Sequence, residues 1–112
     1  MKAVILDLES LEDLDLTALS SEFSQLDIHM ATTPEQTAAR IADANVVITN
    51  KVRITDDLMA QAPQLQLICV VATGTNNIDL DGARSRGIAV SNCVAYGVDS
   101  VVQHVWSMIL AL

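Results

Sequence analysis

Short apolar runs recur along the chain and alternate with polar segments, and this pattern predicts the secondary structure. The runs are rich in Val, Ile and Leu, and the fourth is apolar on both faces, as buried parallel strands are. They predict five strands, at residues 2–8, 26–30, 45–49, 65–71 and 88–91.

Helices are predicted between these strands. Thr33 before Pro34 has the pattern of a helix start, and this helix is expected to reach about residue 44. Thr55 precedes two aspartates and starts a helix that ends near residue 61, while Gly87 is suited to end a helix over residues 79–86. A further helix is expected over residues 17–23. Strands that alternate with helices predict an α/β fold, a flavodoxin-like doubly wound parallel sheet of about five strands.

The last segment, residues 101–112, has a different pattern. It contains no Asp, Glu, Lys or Arg, its apolar residues recur at helical spacing, and Asp99 or Ser100 is a candidate N-cap. A helix this apolar is normally buried on most sides. It either packs on its own sheet, continues into another domain, or pairs with a second copy of the chain to give a homodimer.

Composition indicates a folded domain with an acidic surface. Of the 112 residues 51% are hydrophobic, and 14 acidic against 6 basic residues give a formal net charge of −8. This charge argues against a nucleic-acid partner. Acidic residues are frequent near the start of the chain, and we expect a solvated surface there rather than a metal site; they are Asp7, Glu9, Glu12, Asp13 and Asp15.

The chain has no pattern of a secreted or membrane-spanning protein. Its first residues are typical of a strand rather than a signal peptide, and no apolar run is long enough to cross a bilayer. Cys69 and Cys93 lack CxxC spacing and are expected to be buried thiols. A cytoplasmic location without membrane contact is therefore the expectation.

Polar residues follow the predicted strands at the edge where α/β sheets bind ligands. Asn50 and Lys51 follow the third strand, and the turn Thr73-Gly74-Thr75 follows the fourth. A glycine turn presents backbone N–H donors that favour an anion. Such a turn is also common as a purely structural feature, so both interpretations stay open here. Asp7 and Asn92 hold the equivalent places after the first and fifth strands.

Candidate catalytic residues are missing. His29 falls in a predicted strand and His104 in the apolar last segment, and a packing role is expected for both. The glycines do not form the GxGxxG fingerprint of a dinucleotide site, and no P-loop, HExxH or GxSxG motif occurs.

Three strings in the second half of the chain resemble one family. GTNNIDL, ARSRGIAVSN and YGVDSVVQHVWSMILAL are similar to the end of the N-terminal substrate domain of D-isomer-specific 2-hydroxyacid dehydrogenases, most of all those of glycerate dehydrogenase (hydroxypyruvate reductase) type. Members of the family are much longer, so the resemblance implies an N-terminal fragment. Residues 1–98 would belong to the substrate-binding domain, and residues 99–112 would begin a helix that links it to an absent NAD-binding domain.

The resemblance also implies an activity: reduction of a small 2-keto acid to a D-2-hydroxy acid with NADH or NADPH, and the reverse. Thr73, Gly74 and Thr75 would bind the substrate carboxylate, and Asn50 and Lys51 would line its pocket. Thr73 and Val101 would lie near the nicotinamide. The family's catalytic Arg, Glu and His lie downstream, so we expect no catalytic residue, no metal ligand and no activity in this chain alone.

Two other interpretations remain. A stand-alone flavodoxin-like binding module, such as a phosphoacceptor receiver with Asp7 after the first strand, is disfavoured because Asn50 replaces the acceptor carboxylate after the third strand. A dimerisation module that uses the apolar last helix is compatible with the dehydrogenase interpretation.

Overall fold

Five parallel strands form one sheet in the computed structural model, which describes residues 1–11, 16–72, 74–92 and 107–110. The strand order is β2-β1-β3-β4-β5 and every neighbouring pair is parallel. This order is that of the flavodoxin-like class, so the predicted fold is confirmed. The strands are β1 (Lys2–Ile5), β2 (Gln25–Ile28), β3 (Val46–Thr49), β4 (Leu67–Val70) and β5 (Ala89–Asn92).

Four helices connect these strands, each where the sequence predicts one. They are α1 (Leu16–Glu22), α2 (Pro34–Ile41), α3 (Asp56–Ala60) and α4 (Leu80–Ser85). Thr55 caps α3 by accepting a hydrogen bond from the Leu58 amide at 3.3 Å. Asp79 caps α4 through the Gly82 amide at 2.9 Å. Gly87 has φ of 71°, a left-handed conformation that suits glycine after a helix.

Several boundaries differ from the prediction. β1 ends at Ile5 rather than at residue 8, and a short 3-10 turn follows at Leu8–Ser10. The Leu8 amide donates to the His29 carbonyl oxygen, just beyond the end of β2. His29 itself lies just beyond β2 rather than inside it. α2 ends at Ile41, three residues before the predicted end at residue 44.

Each face of the sheet has its own core. One core lies under α2, α3 and α4 and includes Val47, Ile68 and Met59, whereas the other lies under α1 and includes Ile48, Leu67 and Leu19. Helices therefore cover both faces, as the doubly wound prediction requires. Because α1 and α2 lie on opposite faces, β1 and β3 flank the topological switch point, where such sheets open a ligand crevice.

The last described residues, 107–110, are helical. Met108 and Ile109 pack against the core under α1, whereas the side chain of Leu110 is 71% exposed. The part of the last helix that is described therefore packs on its own sheet. Asp99, Ser100, Val101 and His104 lie outside the described residues, as does Cys93.

Candidate functional site

A buried carboxylate lies at the switch point. Asp7 follows β1 and is only 6% exposed. Its Oδ1 accepts hydrogen bonds from Thr49 Oγ1 at 2.8 Å and from the Asn50 amide at 3.0 Å, and its Oδ2 accepts from the Lys51 amide at 2.8 Å. For Asp7 the predicted solvated surface is wrong, because the amides and hydroxyl of the β3 turn surround its charge. Glu9 is exposed, as expected, and Glu12, Asp13 and Asp15 lie outside the described residues.

The two predicted residues of the β3 turn have different environments. Asn50 is half-buried, and its Nδ2 donates to the Ser10 carbonyl oxygen at 3.1 Å. Lys51 is exposed and its side chain lines a cavity of about 500 Å³ between the β1, β2 and β3 loops. Arg53, Thr32 and Leu58 line the same cavity.

The turn after β4 is described only in part, because Thr73 lies outside the described residues. Gly74 is exposed, and a Cβ built on it would meet no atom within 4 Å. Thr75 is half-buried, and its carbonyl oxygen accepts from the Ile78 amide at 3.0 Å. The backbone N–H groups of residues 74–77 donate to no other described residue.

Residues 50–52 of the β3 turn have the opposite property, since their backbone donors are all used inside the protein. The amides of Asn50 and Lys51 donate to Asp7, and the Val52 amide donates to Thr49 Oγ1 at 3.1 Å. Within the described part of the chain, Arg53 has the first amide after β3 without a partner, whereas after β4 the amides of residues 74–77 are all without one. An anion at this edge of the sheet would meet amides at the β4 turn and side chains at the β3 turn.

Asn77 joins the two loops, and the sequence analysis did not assign it a role. Its Nδ2 donates to the Val52 carbonyl oxygen at 2.8 Å, and its own carbonyl oxygen accepts from the Ile54 amide at 2.9 Å. Ile54 and Ile78 then form an isolated parallel bridge. A smaller cavity of about 250 Å³ lies along this seam and is lined by Arg53, Asn76 and Asp79. The asparagine pair in GTNNIDL was the available signal.

The predicted site residues that the structure describes are therefore brought to the same edge of the sheet. Lys51 lines the 500 Å³ cavity, whereas Gly74 and Thr75 line neither it nor the smaller one. Val101, the predicted cofactor contact, lies outside the described residues.

Some of the charged groups elsewhere form ion pairs or hydrogen bonds to the backbone. Arg86 and Asp56 form an ion pair at 2.8 Å, and the Arg86 guanidinium lowers the pKa of the Asp56 carboxyl. Burial lowers the pKa of His29, with Arg40 acting in the same direction. No cluster of three metal-ligating side chains occurs in the described ranges. None of the helices described there has the length and apolarity needed to cross a bilayer.

Two curated proteins match nearly the whole chain. It is 35% identical over 111 residues to the glycerate dehydrogenase of Methylorubrum extorquens, covering 99% of this chain and 35% of that protein. It is 34% identical over 116 residues to the hydroxypyruvate reductase of Blautia hydrogenotrophica, covering 100% of this chain and 36% of that protein. The chain thus spans about a third of the length of these relatives.

A solved structure supports the fold. The NAD-dependent formate dehydrogenase of Staphylococcus aureus, solved in complex with NAD, superposes with a TM-score of 0.66 at 24% identity, covering 82% of this chain and 31% of that one. The profile described as "D-isomer specific 2-hydroxyacid dehydrogenase, catalytic domain" matches residues 3–108. The family resemblance of the sequence is therefore confirmed, and the chain belongs to the D-isomer-specific 2-hydroxyacid dehydrogenases.

Proposed function

We propose that the chain is the substrate-binding part of an oxidoreductase for small 2-keto acids of hydroxypyruvate type. The keto acid would take up a hydride and a proton and become the D-2-hydroxy acid, and the reverse reaction would release both. NADH or NADPH supplies the hydride when it is bound. Thr73 and Val101 are the proposed contacts near the nicotinamide, and the described residues lack a dinucleotide fingerprint, so the cofactor would be held mainly by polypeptide outside this chain.

The unused amides of the β4 turn carry this proposal. The backbone N–H groups of residues 74–77 donate to no other described residue, and a Cβ added at Gly74 would meet no atom within 4 Å. Backbone N–H groups bind a carboxylate without adding a group that titrates. Thr73, Gly74 and Thr75 would hold the substrate carboxylate, and Lys51 would add a positive charge at the neighbouring turn.

The chain would bind and orient the substrate but perform no chemistry. Asn50 and Lys51 are fixed on the β3 turn, which Asn77 joins to the β4 loop. This connection would set the position of the carboxylate relative to the pocket side chains. Holding a reactant in a fixed orientation contributes strongly to rate once the reacting partner is in place.

Binding of D-glycerate to the 112-residue chain, followed by ¹⁵N NMR, tests the proposal. We expect the amide signals of Gly74 and Thr75 to shift with D-glycerate. Glycerol is the matched control, because it has the hydroxyls without the carboxylate and should leave these signals in place. Unmoved Gly74 and Thr75 signals at saturating D-glycerate would contradict the assignment. Oxidation of NADH by hydroxypyruvate with the chain alone would contradict its proposed lack of catalytic residues.

We further propose that the last helix forms a homodimer contact. Leu110 is 71% exposed although its neighbours Met108 and Ile109 pack on the sheet. Exposed apolar side chains on a helix favour association. Light scattering should find a dimer, and Leu110→Asp should give a monomer. Met30→Asp is the control, since Met30 is 58% exposed at a different place. A monomeric wild-type chain would refute the dimer.

The domain division and the location are also proposals. Residues 1–98 would form the substrate-binding part and residues 99–112 the start of a helix that links it to a dinucleotide-binding domain. A cytoplasmic location is supported by Cys69, a thiol buried in the sheet. Expression of the complete gene with a fluorescent tag would test the location, and its length would test the division.

A further inference from the structure

We propose that Asp7 is a positioning residue for substrate binding. Its carboxylate fixes the turn that carries Asn50 and Lys51 and draws the amides of this turn inward. The β3 turn therefore meets the substrate with side chains only, while the β4 turn offers backbone donors. The substrate part of this inference rests on the proposed function, whereas the fixing of the turn is independent of it.

The carboxylate of Asp7 is fully engaged. Beyond its bonds to Thr49, Asn50 and Lys51, its Oδ2 also accepts from Ser10 Oγ at 3.0 Å. Hydrogen bonds to an ionised acceptor are shorter and stronger than neutral ones. Because Asp7 is 6% exposed, water competes little for these oxygens. The carboxylate is therefore the common acceptor for three consecutive residues of the β3 turn.

Thr49 connects Asp7 to one further residue of the turn, Val52. Its hydroxyl donates to Asp7 Oδ1 at 2.8 Å and accepts from the Val52 amide at 3.1 Å. The turn from Thr49 to Val52 is thus held by one charged group through direct and relayed bonds. Asp7 lies 42 to 44 residues away in sequence, so the connection crosses the switch point between β1 and β3.

Asparagine at this position would retain the shape but not the bonding. Its amide nitrogen is a donor, and whichever way the side chain turns it would face an N–H or hydroxyl donor of the turn. Asp7→Asn should therefore release the turn without leaving a cavity. Ser20→Ala is the control, because it removes a hydroxyl that donates to the Leu16 carbonyl oxygen on α1, on the other face of the sheet and outside both cavities.

Hydrogen exchange of the 112-residue chain tests the fixing of the turn. In Asp7→Asn the amides of residues 50–52 should exchange about tenfold or more faster relative to those of β4, as expected for lost bonds to a charged acceptor. Ser20→Ala should leave this ratio unchanged. Thr49→Val is a milder variant for the case that Asp7→Asn does not fold, and it should accelerate the Val52 amide alone. Unchanged ratios in both variants would overturn the inference.

D-glycerate affinity tests the substrate part. Asp7→Asn should raise the Kd roughly fivefold or more, while Ser20→Ala should leave it unchanged. An unchanged Kd with a released turn would overturn the positioning role. If the wild-type chain fails to bind D-glycerate, the proposed function fails, and the exchange ratios still decide whether Asp7 fixes the turn.

Discussion

Asn77 donates a hydrogen bond to the carbonyl oxygen of Val52 at 2.8 Å, across 25 residues of sequence. A weaker contact reaches the Asn50 carbonyl oxygen at 3.5 Å. Ile54 donates to the Asn77 carbonyl oxygen, so the side chain and the backbone of Asn77 hold the same loop. The two loops that the proposed function uses are therefore one structural unit.

Removal of this side chain should loosen the unit. We expect Asn77→Ala to lower the free energy of unfolding by about 1–2 kcal/mol, because the Val52 carbonyl oxygen loses its partner in a half-buried place. Urea denaturation measures the loss. Asn76→Ala is the control, since Asn76 is exposed and has no hydrogen bond within the described ranges, and should change stability by less than about 0.5 kcal/mol. Equal losses in the two variants would refute the role of Asn77.

The N-terminus of α4 makes a second prediction. Asp79 accepts the Gly82 amide at 2.9 Å, and Asp79→Ala should lower the free energy of unfolding by about 1 kcal/mol. Asp79→Asn should retain most of the stability, because asparagine caps helices about as well as aspartate. Urea denaturation of the three proteins measures both effects. A large loss in Asp79→Asn would mean that the negative charge, rather than the cap, is what stabilises α4.

His29 gives a prediction about pH. Burial holds the pKa of His29 below its ordinary value of 6.5, Arg40 adds to this, and Asp27 opposes it. The unfolded chain therefore takes up the proton first as the pH falls. The contribution of His29 to stability is fully present above about pH 6.5 and is lost as the pH falls through the lower folded-state pKa.

NMR titration of the His29 ring protons should give this lowered pKa, with His29→Gln used to assign the signal. The same variant should reduce the fall in the free energy of unfolding between about pH 6.5 and the folded-state pKa. A folded-state pKa at or above 6.5 would contradict the prediction.

The order of elements could be predicted because its signals are local. The Thr33-Pro34 helix start, the Thr55 cap and Gly87 each act within a few residues, and each is where the sequence analysis places it. Asp7 shows what local patterns miss. Among neighbouring acidic residues it has the pattern of a solvated surface, and its burial depends on β3 pairing with β1 more than forty residues later. Asn77 was missed for the same reason.

The location of the site could be predicted from the sequence, but its hydrogen bonding could not. The ends of β3 and β4 follow from the apolar runs, so Asn50, Lys51 and the glycine turn could be assigned to one edge of the sheet. Which amides are already used there depends on the orientation of each peptide group. No residue pattern encodes that, because Asp7 and Thr49 determine it through contacts between separate loops.

Substitutions of Gly74 and Gly82 should separate substrate binding from stability. Gly74 has open space at its Cβ position and does not adopt the left-handed conformation, so Gly74→Ala should leave the fold as stable or up to about 1 kcal/mol more stable. The added methyl group would occupy open space beside the amides that we propose to bind the carboxylate, and the D-glycerate Kd should rise about tenfold. Gly82→Ala should have the opposite pattern, with lower stability and unchanged binding. Its Cβ would lie 2.8 Å from Asp56 Oδ1 and 3.0 Å from Asp79 Oδ2, so these two carboxylates must move, which weakens the Arg86 ion pair and the α4 cap at a cost of about 1 kcal/mol. Its D-glycerate affinity should stay unchanged. Titration calorimetry measures the Kd of both variants, and urea denaturation measures their stability. An unchanged Kd in Gly74→Ala would mean that the carboxylate binds elsewhere.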